Sequence, residues 1–122
     1  MARYDPYEHA ESLGIRVEHQ SLRTHNGLWV PDKNSIILRS RMRAVHDRSV
    51  LAHELGHANF AHRDDRPKHE VQADRYAAEN MIDHAEIIDL MKWNSDPVKI
   101  ANELEVSGRL LRVYLNVHRL AG

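Results

Sequence analysis

The amino-acid sequence predicts an α+β fold that is mainly helical, with a small antiparallel sheet of about three strands packed on one long helix. Three observations predict it. Strand-like runs are confined to the first third of the chain. From Arg41 onward the apolar residues recur at three- and four-residue intervals, the period of a helix. Helix-starting signals recur along the chain at Asp5-Pro6, Pro67, Asp96-Pro97 and Ser107.

The elements follow in order. Asp5 can cap a first helix, Pro6 suits its first position, and Glu8 completes a capping box. Gly14 ends that helix after about two turns, and an extended segment begins at Ile15 to Val17. Gly27 to Val30 and Ser35 to Arg39 read as strands joined through the polar turn Pro31-Asp32-Lys33-Asn34, hence as a hairpin. The long helix covers about Arg41 to His62. It carries Val50, His53, His57 and Phe60 on one stripe and Leu51, Leu55 and Ala58 on the next, so it is buried on both flanks. After a charged break at 63–66, Pro67 starts a helix that runs to about Ile82. Asp83 to Trp93 is another helix, and two more follow from Asp96-Pro97 and Ser107. This divides the chain into a core over 1–82 and a C-terminal helical segment over 83–122 packed on it.

With 122 residues the chain suffices for one compact domain. Hydrophobic residues at 42% and charged residues at 29% describe a globular chain and exclude a disordered one. Lys plus Arg (17) nearly balances Asp plus Glu (18), so there is no global pull toward nucleic acid or anionic lipid. The absence of cysteine excludes disulfides, cysteine-based zinc sites and thiol nucleophiles. The stretch Met1 to Glu11 carries Arg3, Asp5, Glu8 and Glu11 and no apolar leader, and no uncharged run is long enough to span a membrane, so a cytoplasmic location is expected. The ten histidines are an unusual number, and imidazole is the commonest protein metal ligand.

Two of them carry a motif. His53-Glu54-Leu55-Gly56-His57 is H-E-x-x-H. Residues four apart share a helix face, so both imidazoles can reach one ion, while Glu54, turned by about 100°, suits a group that handles a water beside the metal. A catalytic zinc site needs a third protein ligand and one open position. Glu70 and Asp74 on the next helix lie four apart on a face continued by Ala77 and Met81. Glu70 would ligate zinc, and Asp74 would accept a hydrogen bond from the far nitrogen of a ligand histidine, His53, fixing its tautomer. Asp64 and Asp65 are rival third ligands in the break. A metzincin site is disfavoured, because the positions that need Gly and His hold Phe60 and Arg63. Tyr76, His62 and His25 are candidate oxyanion donors.

His53 to His57 as HELGH, followed by Glu70-x-x-Ala73-Asp74-x-Tyr76-Ala77-Ala78-Glu79, resembles the ImmA/IrrE family of small gluzincin metallopeptidases over roughly residues 5 to 82. The Leu13-Gly14-Ile15 helix end and the hairpin with Gly27 are also similar. The family usually has Phe where this chain has Tyr76. The resemblance implies His53, His57 and Glu70 as zinc ligands and Glu54 as the catalytic residue. It also implies a protein substrate, a repressor with a helix-turn-helix domain belonging to a phage, mobile element or stress response.

The C-terminal segment, Ile100 to Ser107 and then Leu110 to Asn116, itself resembles a helix-turn-helix, with Ala101, Leu111 and Leu115 at the expected offsets. Glu105 stands where the turn usually wants Gly. A DNA-reading helix would start near Ser107 and carry Arg109 and Arg112. From Asp96 onward, Lys99, Arg109, Arg112 and Arg119 oppose Asp96, Glu103 and Glu105, a thin excess for phosphate binding, so nucleic acid is disfavoured as a partner. Two alternatives to a protease stand beside it: a non-catalytic antirepressor that acts by docking, and a DNA-binding regulator using the C-terminal helices.

Overall fold

In the computed structural model, which describes residues 3–120, the first helix forms where its caps dictate. Asp5 accepts a hydrogen bond from the Tyr7 amide and Pro6 takes the first position of α1 (Pro6–Ser12). Gly14, at φ 71°, ends it: the Gly14 and Ile15 amides return to the carbonyls of Glu11 and Ala10. Strands β1 (Arg16–Gln20), β2 (Gly27–Val30) and β3 (Ser35–Arg39) follow, with Asn34 in the left-handed region at the turn between β2 and β3. Five further helices complete the described chain: α2 (Ala44–Asn59), α3 (Pro67–Met81), α4 (His84–Trp93), α5 (Pro97–Leu104) and α6 (Gly108–Val117).

The α+β class and the three strands are as the sequence predicts, but the sheet is mixed. Its order is β1-β3-β2, with β2 antiparallel to β3 and β1 parallel to it, Arg16 opposite Ser35. A period-two pattern is identical for either direction, and the direction is set by how the chain crosses from β1 to the far edge. That leaves β2 as the edge beside α2. The Arg39 amide donates to the Asn26 carbonyl, so by strand alternation the backbone of Leu28 faces β3 while that of Gly27 and Trp29 faces away from it.

Helix α2 is apolar on both flanks. Leu51 and Leu55 pack with Ala10, Ile15, Ile36 and Leu38 under the sheet. Ala52 joins Ala77, Ala78 and Met81 of α3 and a cluster from α4 to α6 that includes Ile87, Leu104, Leu111 and Tyr114. The C-terminal helices thus share one core with α2 and α3. In the turn between α5 and α6, Glu105 adopts the left-handed conformation (φ 57°) that the helix-turn-helix pattern reserves for glycine. Among the described residues no helix is long and apolar enough to cross a membrane.

Candidate metal centre

Two close approaches build the site. At Gly56 a Cβ would lie 2.8 Å from the Ala73 Cα, so the missing side chain lets α2 and α3 meet backbone to backbone. At Gly27 a Cβ would lie 2.7 Å from Val50 Cγ1 and 3.0 Å from Glu54 Cγ, so β2 runs directly against the base of the H-E-x-x-H turn.

The first approach brings the two motifs together. Each of His53, His57 and Glu70 offers one ligand atom, and these atoms all lie within 4.8 Å of one another. Glu70 Oε2 is 2.5 Å from His53 Nε2 and 3.2 Å from His57 Nε2. Across a tetrahedral ion with ligand distances of ~2.0–2.2 Å, ligand atoms stand roughly 3.3 Å apart. Two imidazole nitrogens and one carboxylate oxygen, half-enclosed and converging at that scale, fit zinc in its catalytic ligand set. Among the described residues this is the one such group. Asp64 turns elsewhere, to His69 Nδ1 and Arg66.

Both histidines are held from behind. Asp74 Oδ1 meets His53 Nδ1 at 2.8 Å, the partnership expected from the sequence. His57 has a partner the sequence did not suggest in that role. Its Nδ1 lies 2.9 Å from His62 Nδ1, and His62 Nε2 lies 2.8 Å from Gln72 Oε1. With His57 Nε2 as a metal ligand, its Nδ1–H donates to His62, and His62 Nε2–H donates to the Gln72 amide oxygen. The turn that returns His62 is another left-handed helix end. Ala61 sits at φ 53°, and the Ala61 and His62 amides bond to the carbonyls of Ala58 and His57. Without a glycine, nothing local announced it.

The three candidate oxyanion donors separate. His62 has both ring nitrogens engaged and retains no N–H for a substrate oxygen. Tyr76 lies away from the clefts, against His9 and Phe60, because it is turned about 200° from Asp74 on α3. His25, in the loop before β2, lines the clefts on both sides of the trio.

Those clefts meet at Glu54 and Glu70. One, of about 370 Å³, is walled by the 24–27 loop, α2 and the first turn of α6, including Arg109. The other, of about 230 Å³, is walled by Leu28, Trp29, His57, His62 and the 63–65 break. Glu54 is only 7% exposed. Burial lifts its carboxyl to about 7; Glu70 adds to the rise, while His53 and a backbone hydrogen bond from Trp29 oppose it. Burial also acts on Asp74, but its bonds to His53 and Arg109 outweigh it and hold that carboxyl below its usual range.

No curated protein matches the chain. The family comparison, by contrast, covers nearly all of it: residues 10–116 match the model described as the IrrE N-terminal-like domain, and to that family of metallopeptidases the protein belongs.

Proposed function

We propose that the protein is a zinc-dependent endopeptidase that cleaves a specific protein substrate, a helix-turn-helix repressor of a phage, mobile element or stress response. The observation that carries the peptidase reading is the convergence of His53, His57 and Glu70 beside a buried Glu54 at the junction of two open clefts. The repressor as substrate rests on the family resemblance.

His53, His57 and Glu70 would hold the ion. When bound, zinc would supply a water of lowered pKa and polarise the scissile carbonyl. Glu54 takes the water's proton as general base and delivers it to the leaving amine as general acid. Burial lifts its carboxyl to about 7 in the metal-free site, and a bound dication would draw it down again toward the carboxylate that accepts the proton. Asp74 and His62 keep the two imidazoles in the tautomer that presents Nε2. His25, beside both clefts, is the oxyanion donor in this reading. With the Trp29 N–H bonded to Glu54, the outward backbone of Gly27 and the Trp29 carbonyl on the β2 edge offer pairing to an extended substrate strand, which would lie across the clefts.

The test is Glu54→Gln. The purified wild type should carry about one zinc per chain and cleave its repressor at one bond, and the variant should keep the zinc and lose cleavage by ~100-fold or more. A variant that relieves repression as well as the wild type would reject proteolysis in favour of docking alone.

A further inference from the structure

The sequence offers Arg109 a role only in the disfavoured DNA-reading alternative; the structure lays it, still largely exposed, across Asp74. Helix α6 is fastened to α2 at its start. The Ser107 amide donates to Ser49 Oγ at 3.1 Å, and Ser107 Oγ in turn accepts from the Leu110 amide. Ser49 is four residues before His53, so this bond fixes the first turn of α6 one helical turn away from a ligand histidine. Leu110 and Leu111, buried in the shared core, hold the rest of the helix.

From that anchored turn the Arg109 guanidinium reaches Asp74. Nε and Nη2 both donate to Oδ2, at 3.2 and 2.8 Å, while Oδ1 of the same carboxylate faces His53 Nδ1 at 2.8 Å. The two oxygens are divided between two partners. A carboxylate rotates broadly about its last torsion, and two guanidinium donors converging on Oδ2 pin that oxygen and so restrict the rotation. The His53 ring is then held by a carboxylate whose swing is restricted.

We propose that Arg109 is a positioning residue for His53, acting through Asp74, so that the C-terminal segment supplies part of the metal site. This rests on the reading of His53 as a metal ligand. Asp74 without Arg109 would still neighbour His53, but with its free oxygen unheld and the imidazole less narrowly aimed. The Arg109 side chain is 64% exposed, so its truncation leaves no buried void and the fold should persist.

The experiment is a zinc-affinity measurement by competition with a chromophoric chelator on the full chain, run as a double-mutant cycle. Arg109→Ala should weaken zinc binding about tenfold, the lower end of what loss of an outer partner costs. Arg109→Lys, which keeps one donor and the charge, should recover part of that loss. In an Asp74→Asn background, Arg109→Ala should cost little more, because the two act in series. In the zinc-loaded protein, the His53 Nδ1–H resonance should exchange with water faster in Arg109→Ala than in the wild type. An Arg109→Ala protein with wild-type affinity, or an equal loss with and without Asp74, would overturn the proposal. Zinc bound equally well by His57→Ala would instead reject the metal site itself, and this proposal with it.

Discussion

Replacing Gly56 by Ala tests the close approach on which the site depends. An added Cβ would stand 2.8 Å from the Ala73 Cα and 2.9 Å from its carbonyl oxygen. Both are backbone atoms of α3, so no side chain can rotate out of the way. An ordinary contact of ~3.5 Å requires the two helices to part by roughly 0.7 Å. Overpacking of this kind costs about 1–3 kcal/mol. Opposing it, Ala is favoured over Gly inside a helix by ~1 kcal/mol. The difference is a net loss of about 0–2 kcal/mol in chelator, toward the upper end because both clashing atoms are backbone. The same separation carries Glu70, one turn from Ala73, away from the histidine pair. A ligand set loosened by that much should bind zinc at least ~10-fold more weakly, and with zinc in excess each tenfold removes a further ~1.4 kcal/mol of stability. Urea unfolding of wild type and Gly56→Ala, each with zinc and with chelator, measures both parts. Gly108→Ala is the control, because a Cβ there meets nothing within 4 Å. If Gly56→Ala proves as stable as that control and keeps its zinc affinity, backbone contact between α2 and α3 is not what sets the site.

Two further outcomes follow from the same geometry. His62→Ala strands the His57 Nδ1–H in a buried position and should lower zinc affinity about 10-fold, read by chelator competition; unchanged affinity would mean the His57–His62 contact positions nothing. A peptide substrate N-methylated at alternate residues around the scissile bond should lose about 5-fold in kcat/KM for each pairing bond to β2 that is removed, whereas methylation of the intervening residues should have little effect; the absence of that alternation would reject strand pairing at Gly27 and Trp29.

The amino-acid sequence by itself determined whatever is written within a single element. Spacing of four residues put His53 with His57 and Glu70 with Asp74, because a helix returns to the same face at that interval. Asp5, Pro6, Gly14, Pro67 and Asp96-Pro97 marked helix ends, because their side chains or backbones satisfy or forbid particular terminal bonds. The class of fold and the extents of β2 and β3 were legible for the same reason.

Only the tertiary structure decided which faces meet. The parallel pairing of β1, the bond from His62 to His57 and the reach of Arg109 to Asp74 join residues whose local sequence carries no trace of the partner. Ala61 and Glu105 take left-handed conformations that glycine would have announced; both are exposed, and the amide bonds that close each helix end, with the buried His62 and Val106 that follow, hold them there. Tyr76 and His25 differ in the same way: both were candidates by residue type, and the rotation of α3 turns Tyr76 away from the clefts while the loop before β2 places His25 beside them. Helical periodicity fixes what one face offers; contact across Gly56 and Ala73, a matter of excluded volume between distant segments, fixes what that face touches.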